Sequence, residues 1–394
     1  MKSKVGGLFF IFLIPLFLVG CWDRVEIDRR AFISTIAIDV GKDMEIYNKV
    51  KGNKENTSNH GENLDILTVT YGYPDISQLG ENYSSKVEEK KMSANAYSIE
   101  DSISKATRRS SRNIHLGHSK ILIISKDMLK YTDTMKEIMD YFRRSADINR
   151  RMQVIIVEGK AAEYEKFKPE MENNFQTYIT GILENSDRNV GVLPLTLNDF
   201  ISLTSENRDV MIPYVKMDKN KKELTLNGVA LVKNYGIVGF LNNEQTSNIE
   251  LLKGKSKAGK KVIYEEGNPV DYVIENVERK IKFGSLNNNK LELNLNVKVE
   301  GAVTGFSTNK KLLQSNAVKE YEKKFDDVLN QDSSELIETL QKDYGIDPLE
   351  IKIFMQKFHP YRFRNIEQNW DEVLKNTKVN VKFHTKIRRI GITA

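Results

Sequence analysis

The chain contains a single cysteine, Cys21, among its 394 residues. One thiol can form no internal disulfide and no cluster of thiolates, so the fold must be stabilised by packing. The composition fits this demand, because 40% of the residues are hydrophobic and 29% are charged, as in ordinary globular proteins. The sequence therefore predicts a globular body with hydrophobic cores, long enough for two or three domains.

The cysteine directly follows a leader, residues 1–20, that has the pattern of an export signal peptide. Two lysines stand within its first four residues, an apolar run follows, and Gly20 precedes Cys21. A membrane-spanning helix needs about 20 apolar residues, and this run is shorter and contains Pro15. The junction resembles the lipobox of bacterial lipoproteins, which implies cleavage after Gly20 and a diacylglyceryl anchor on Cys21. An ordinary secretory signal followed by an incidental cysteine is the alternative.

The charge of the chain is mildly positive and excludes one class of partner. The formal net charge of +6 falls to +4 when the two leader lysines are removed. Nucleic-acid binders concentrate basic charge much more strongly, so we expect no nucleic-acid partner. A weak attraction to an anionic bilayer is the most that this balance supports.

The first half of the mature chain, residues 21–216, predicts a mixed α/β region with two subdomains. Short apolar strands alternate with amphipathic helices, which is typical of layered βαβ units. Ser98 is positioned to cap the helix that carries Ile99, Ile103 and Ala106. The predicted strands are Ile33–Asp39, Met44–Val50, Leu64–Tyr73, Ile121–Ile124 and Val154–Val157, and further helices are expected over Met128–Phe142, Met171–Glu184 and Thr196–Leu203.

The second half, residues 222–394, predicts an α+β domain that follows a polar boundary at 217–223. It opens with a hairpin, Leu224–Leu231 and Ile237–Leu241, turned at Lys233–Gly236. A half-buried strand over Leu291–Val299 pairs with the run that ends at Phe283, with a turn at 284–289. Helices are expected at about 312–330, at 333–343 opened by Ser333 or Ser334, and around Trp370, before a last strand from Val379 to Ile387.

No catalytic motif stands in the sequence, so we expect a protein that is not an enzyme and needs no cofactor or metal. The G-x-S-x-G, H-E-x-x-H and P-loop patterns are absent from the printed chain. His115 and His118 have the spacing of some metal pairs, but Gly117 between them favours a pair in a loop or at the entry to a strand. His60 is expected in a solvated loop and His359 in a turn. The Lys/Gly run at 253–261 is expected to be a solvated loop.

The last predicted strand carries a basic face formed by Lys378, Lys382, Lys386 and Arg388, with Arg389 adjoining. Two interpretations stay open for it. Lysines protect exposed sheet edges from pairing with other chains, and a basic ribbon also suits anionic headgroups or an acidic partner.

Segments along almost the whole chain resemble one family, the Ger(x)C proteins, which are the C-subunit lipoproteins of spore germinant receptors. One segment departs from the family pattern, since Asp347-Pro348-Leu349 replaces the usual run toward a second glycine. The matching segments are Gly20–Asp23, Gly117–Ile121, Thr177–Glu184, Asn227–Ala230, Gly239–Asn242, Phe358–Pro360, Asn369–Glu372 and Ile387–Gly391.

The resemblance implies a non-enzymatic subunit on the outer face of the spore inner membrane, held by a palmitate-type lipid anchor. It implies mixed α/β domains, each with a sheet flanked by helices, and partners in the receptor A and B subunits. Cys21 is the one residue whose role the resemblance carries over. A solute-binding lipoprotein that serves a membrane transporter is the alternative function.

Overall fold

A computed structural model describes residues 29–52, 64–75, 89–169, 172, 174–189, 192–218, 223–254, 259–265, 267–305 and 315–391. The described strands form an eight-stranded sheet, a four-stranded sheet and a small parallel pair. Helices pack on both larger sheets, which confirms the predicted mixed α/β class with helix-flanked sheets. In this part of the chain, no helix has the length and apolar character needed to cross a bilayer.

The eight-stranded sheet is parallel in its centre and antiparallel at its sides. The first ten strands are β1 (Arg30–Phe32), β2 (Thr35–Val40), β3 (Leu67–Pro74), β4 (Glu89–Ala96), β5 (Asn113–His115), β6 (Ile121–Ser125), β7 (Gln153–Val157), β8 (Val210–Asp218), β9 (Glu223–Lys233) and β10 (Gly236–Leu241). Strands β1 and β5 form the separate pair, and the others are ordered β10-β9-β8-β7-β6-β2-β3-β4. The run β8-β7-β6-β2 is parallel, as the predicted βαβ units require.

Helices cover both faces of this sheet, because its central strands are apolar on both sides. Ile36, Leu122 and Ile156 point into one core, and Ala37, Ile123 and Ile155 into the other. The first core also receives helices α1, α2, α3 and α6, whereas α4 and α5 cover the second. These helices are α1 (Met44–Gly52), α2 (Ile99–Thr107), α3 (Thr132–Arg144), α4 (Ala161–Tyr164), α5 (Phe175–Asn189) and α6 (Leu197–Ser205).

Two predicted helix starts are confirmed by their capping hydrogen bonds. The Ser98 side chain accepts from the amide of Asp101 at the start of α2. At α6, Thr196 accepts from the amide of Asp199, whose carboxylate accepts in return from the Thr196 amide. Both sequences place a hydroxyl residue three positions before an acid, which satisfies backbone amides that a helix leaves free.

The predicted strand over Met44–Val50 is wrong, because this segment forms helix α1. Ile46, which would share the face of Met44 in a strand, is 56% exposed. Met44 is fully buried and Tyr47, one helical turn later, packs on the same core. The apolar face therefore has the helical period of three to four residues rather than the period of two.

The second half builds a four-stranded sheet ordered β11-β12-β13-β14. Strands β12 and β13 form a long antiparallel hairpin, and β14 adds to β13 in parallel. The elements are α7 (Asn243–Leu252), β11 (Lys260–Glu265), β12 (Asn268–Asn287), β13 (Lys290–Gly305), α8 (Ser315–Glu338), α9 (Ile351–Phe358), α10 (Pro360–Arg364), α11 (Trp370–Asn376) and β14 (Lys378–Ile390).

The two predicted hairpins are present, with turns formed by residues of positive φ. The β9–β10 turn uses Asn234 and Tyr235, at φ 49° and 66°, and the β12–β13 turn uses Asn288 and Asn289, at 48° and 61°. The second turn is therefore tighter than the predicted 284–289. Gly284 lies within β12 at a register shift and takes no part in the turn.

The predicted break between helices near residue 331 is wrong, because α8 continues through it and ends in a π-helical turn over Thr339–Tyr344. Ser333 is fully buried inside the helix. The hydroxyl of Ser334 donates to the carbonyl of Asn330 one turn earlier, at 2.8 Å. A serine whose hydroxyl donates back to the preceding turn, as Ser334 does, stands within a helix rather than at its start.

Helix α8 seals the outer edge of β14. Alternate backbone amides of β14 donate to side chains spaced one turn apart on α8: Phe383 to Asn330 Oδ1 at 2.9 Å, Thr385 to Asp326 Oδ1 at 2.6 Å, and Ile387 to Glu322 Oε1 at 3.0 Å. We call these three side chains the acceptor ladder. Three of the amides that an edge strand normally leaves open are therefore satisfied within the molecule.

The larger sheet continues past the predicted domain boundary. Strands β9 and β10, which follow residue 222, complete that sheet beside β8. The side chains of Val229 and Leu231 contribute to the core of the second half, whereas Ala230 and Val232 face the first. The division into 21–216 and 222–394 stays a prediction, and the hairpin joins the two regions.

Candidate functional site

The predicted anchor residue, Cys21, and the leader 1–20 lie outside the described residues. The described chain begins at Arg29, eight residues after Cys21. Eight residues span at most about 29 Å when fully extended. Strand β1 follows at once and pairs with β5, so that the body begins close to the predicted point of attachment.

His115 and His118 lie beside this first strand and pack against an aromatic ring. The ring centroid of Phe32 is 5.6 Å from that of His115 and 4.8 Å from that of His118. Partial burial and the neighbouring Arg30 lower the pKa of His115, which favours the neutral imidazole. The described residues contain no group of three or more His, Cys, Asp or Glu that could hold a metal ion. The histidines lie at a strand end and in a 3₁₀ turn.

The other histidines and the Lys/Gly run have separate positions. His359 lies between α9 and α10, with its ring 4.8 Å from that of Phe283, and burial lowers its pKa. His60 lies outside the described residues, as do positions 255–258 of the Lys/Gly run. Lys261, at the end of that run, is buried and forms ion pairs with Asp332 at 2.5 Å and Glu244 at 2.7 Å. The solvated loop predicted for 253–261 is therefore wrong at Lys261, which belongs to β11.

A cleft of 370 Å³ lies where the two halves meet. One wall is α6 with the residues after it, and the opposite wall is the loop 345–350 with the start of α9 and of α11. Helix α7 closes a third side. The charged residues lining this cleft are Asp199, Arg208, Asp209, Lys233, Glu250, Lys253, Asp347, Glu350, Lys352 and Asp371.

Asp347 is the buried centre of the loop that forms this wall. Its carboxylate accepts the amides of Ile351 at 2.9 Å and Lys352 at 2.7 Å, and so caps α9. Its own amide donates to Asp209 Oδ2 at 2.7 Å, which ties the loop to the start of β8. Burial raises the pKa of Asp347 to about 7 and also raises that of Asp209.

Cations from the first half and from β12 hold the same loop from outside. Arg208 pairs with Glu350 at 2.6 Å. Lys233 donates to the carbonyl of Gly345 at 2.8 Å and to Asp371 at 3.0 Å. Arg279 donates to the carbonyl of Leu349 at 2.7 Å. The charges in this part of the cleft therefore satisfy one another, and the arrangement acts chemically as a joint between the two halves.

A second buried acid, Glu165, lies under the eight-stranded sheet directly after α4. Thr35 Oγ1 donates to Glu165 Oε1 at 2.7 Å, and Oε2 has no hydrogen-bond partner among the described residues. Burial raises the pKa of Glu165 to about 8, and the nearby Lys91 compensates only in part. The carboxyl group is therefore mainly neutral in the folded protein at pH 7.

This shift predicts a pH-dependent stability. Below pH 4.5, the ordinary pKa of a glutamate, the carboxyl group is neutral in the folded and in the unfolded chain. The contribution of its protonation to the free energy of unfolding is then fully present. As the pH rises toward 8 the unfolded chain ionises first, so stability is lost by on the order of a few kcal/mol. Glu165→Gln mimics the neutral acid and should match the wild type near pH 4.5 and exceed it at pH 8. Urea unfolding at both pH values measures the difference.

The matched control is Glu45→Gln, which makes the same chemical change at an exposed glutamate. It should show the wild-type pH profile. Other acids with raised pKa, such as Asp39 and Asp209, contribute equally in both variants. A constant advantage of Glu165→Gln at all pH values would show that ionisation of Glu165 is not the cause.

Sequence reasoning did not find Asp209, Asp347 or Glu165. The segment around Asp347 was noticed only because it departs from the Ger(x)C pattern. Each of these acids is defined by partners far along the chain, as with Asp209 and Asp347 or Thr35 and Glu165. No local motif marks such pairs.

The comparisons with known proteins agree along nearly the whole chain. The model of the spore germination protein N-terminal domain matches residues 23–217, and that of the spore germination B3/GerAC like C-terminal domain matches residues 227–391. The chain is 21% identical to spore germination protein B3 of Bacillus subtilis (strain 168), covering 99% of this chain and 98% of the relative. It is 24% identical to spore germination protein GerQC of Bacillus cereus, covering 97% and 98%. The crystal structure of the GerBC protein shares the fold, with a TM-score of 0.58 at 19% identity, covering 83% of this chain and 95% of that one.

Proposed function

Since the chain belongs to the Ger(x)C family of spore germination proteins, we propose that it is a lipid-anchored, non-catalytic subunit of a nutrient germinant receptor complex. The observation that carries the proposal is the match of two germination domain models, in order, to residues 23–217 and 227–391. The first match begins two residues after Cys21.

The mechanism we propose is assembly at a membrane. A lipid on Cys21 confines the body to the plane of the bilayer and raises its effective concentration beside membrane partners. Two acyl chains are needed because a single chain binds a bilayer only marginally. The partners are the A and B subunits of the receptor, and the location is the outer face of the spore inner membrane.

The described cleft supports a binding role rather than a catalytic one. Arg208, Lys233 and Arg279 donate to Glu350, Asp371 and backbone carbonyls of the loop 345–350. These contacts engage Arg208 and Lys233, two of the four cations that line the cleft. The joint instead fixes the two halves in one orientation, which suits a subunit that presents a constant surface to its partners.

The experiment is purification of the tagged protein from detergent-solubilised spore membranes, in a strain that carries no other family member. We expect the two membrane subunits to be recovered with it, and we expect deletion to abolish germination in response to nutrients. The control is an unrelated lipoprotein that carries the same tag. Recovery of the protein alone, together with an unchanged nutrient response in the deletion strain, would contradict the proposal.

A solute-binding lipoprotein is the second candidate, and the size of the cleft favours it. Its 370 Å³ lies within the range of small-molecule sites, about 300 to 1,000 Å³. Calorimetry of the mature protein against amino acids and sugars separates the two functions. Micromolar binding that is lost in Asp371→Ala would support the solute-binding function.

A further inference from the structure

The parallel strands of the larger sheet start at one end of the molecule, and the chain enters the body at the same end. The register aligns Thr35 of β2 with Ile121 of β6, and Ile121 with Gln153 of β7. The amide of Lys120 donates to the carbonyl of Ser34 at 2.8 Å, and that of Gln153 to the carbonyl of Lys120 at 2.8 Å. The segments that precede these strands therefore lie side by side.

These segments are rich in cations. Arg150 donates to the carbonyl of Arg143 at 2.6 Å, which places the end of α3 beside the residues before β7. Arg30 is aligned with Asn113, so the preceding Arg112 lies next to it. We call the following eight residues the anchor-side cluster: Arg29, Arg30, Arg112, Lys120, Arg143, Arg144, Arg150 and Arg151. Six are exposed, and Arg30 and Arg112 are half-buried.

Fewer carboxylates lie near this cluster. Asp140 pairs with Arg143 at 2.8 Å and lies 3.9 Å from Arg144. Glu100 and Asp147 line a shallow depression with Arg144. Asp199, near Arg150, is engaged in the cap of α6. The segment 22–28 adds three acids and one arginine to the sequence next to the cluster. With Arg24 the cations number nine and the acids just named number seven, so this end keeps an excess of two positive charges.

The basic face of β14 differs, because four of its five cations are in ion pairs, Lys382 being the exception in the part of the chain that the structure describes. Lys386 lies 3.4 Å from Glu322, Arg388 lies 2.6 Å from Glu300, and Arg389 pairs with Glu275. Lys378 lies 3.7 Å from Glu292. These contacts favour the solvated, edge-protecting interpretation of that strand over a role in binding.

We propose that the anchor-side cluster is a docking surface for anionic phospholipid headgroups, and that it sets the orientation of the body on the bilayer. The proposal rests on the proposed function, which puts a lipid on Cys21, eight residues before Arg29. Such a short connection holds this end nearest the bilayer. Arginine also matches phosphate geometry with its planar fork of donors, and it stays charged at every physiological pH.

The test measures vesicle binding of the mature chain with Cys21→Ser, which removes the anchor and leaves the surface. The cluster variant is Lys120→Gln/Arg144→Gln/Arg150→Gln/Arg151→Gln. The control is Lys319→Gln/Lys323→Gln/Lys375→Gln/Lys382→Gln, four exposed lysines of the second half with the same loss of charge. The probes are vesicles of phosphatidylcholine alone and of phosphatidylcholine mixed with phosphatidylglycerol, followed by sedimentation.

We expect the parent protein and the control to bind the mixed vesicles, and the cluster variant to bind them at least about 50-fold more weakly. Binding should fall steeply with salt and be absent on phosphatidylcholine alone. Thermal unfolding checks that each variant folds. If the quadruple variant does not fold, the double variant Lys120→Gln/Arg151→Gln replaces it, and we expect it to bind the mixed vesicles about tenfold or more weakly than the parent.

Equal binding by the cluster and control variants would overturn the inference. So would a cluster variant that binds vesicles normally but no longer co-purifies with the membrane subunits, since the surface would then fit an acidic protein. Failure of the proposed function is detected in a separate experiment, membrane fractionation of the cluster variant that still carries Cys21. If Cys21 is acylated, this variant should stay in the membrane fraction whatever its affinity for vesicles.

Discussion

Cys21→Ala should release the protein from spore membranes and reduce germination in response to nutrients to the level of a deletion strain. Without the thiol no diacylglyceryl group can be attached, and each buried CH₂ of such a group stabilises membrane binding by roughly 0.8 kcal/mol. The loss of the two chains removes the hydrophobic part of the anchoring free energy, and a high-salt wash screens what the anchor-side cluster contributes. Membrane fractionation, mass spectrometry of the amino terminus and the rate of nutrient-triggered germination measure the three parts of this result.

The control is Ser3→Ala, which changes the leader but keeps Gly20 and the cysteine. It should retain lipid, membrane location and germination. A Cys21→Ala protein found in the soluble fraction beside an unchanged nutrient response would show that the anchor has no function in germination. An unmodified Cys21 in the native protein would refute lipidation itself.

Phe325→Ala should lower the free energy of unfolding of the second half by about 3–5 kcal/mol. Phe325 is fully buried on α8, and its ring centroid lies 5.0 Å from that of Tyr272. Tyr272 in turn donates to the carbonyl of Lys386 in β14 at 3.0 Å. Loss of the ring leaves a cavity between the helix and the sheet that it covers, and it also loosens the tyrosine that joins β12 to β14.

Urea unfolding followed by tryptophan fluorescence measures this change, because Trp370 belongs to the same core as Phe325. The matched control is Asp327→Ala, an exposed position on the same helix, which should change stability by less than about 0.5 kcal/mol. Equal destabilisation by both variants would show that loss of the buried ring is not the cause, since alanine by itself favours the helix at both positions.

Local patterns in the sequence predicted most of the elements, because those elements depend on neighbours along the chain. The strands around Ile123 and Ile155, the caps at Ser98 and Thr196 and the turn at Asn234 are examples. The segment at Met44 misled because an alternating pattern coincided with a helical one. The buried Ser333 misled because serine begins helices more often than it lies within them.

The remaining features depend on residues that are distant in sequence. The acceptor ladder joins Asp326 to Thr385, and the joint at the cleft brings Asp209 to Asp347. The anchor-side cluster combines segments far apart in sequence, which the register of parallel strands and a hydrogen bond from Arg150 to Arg143 bring together. The candidate site Cys21 was predicted from the sequence alone and stays a prediction.

The acceptor ladder has a consequence for how many copies of this protein can be crowded together. Proteins tethered to a membrane meet one another far more often than they do in free solution. Exposed edge strands can then pair between molecules and extend a sheet from one copy to the next. Along Phe383, Thr385 and Ile387 of β14 that route is closed, because Asn330, Asp326 and Glu322 already accept from these outward amides. Under the proposed anchoring, copies that meet at this part of the strand can touch only through side chains, so their contacts would stay reversible.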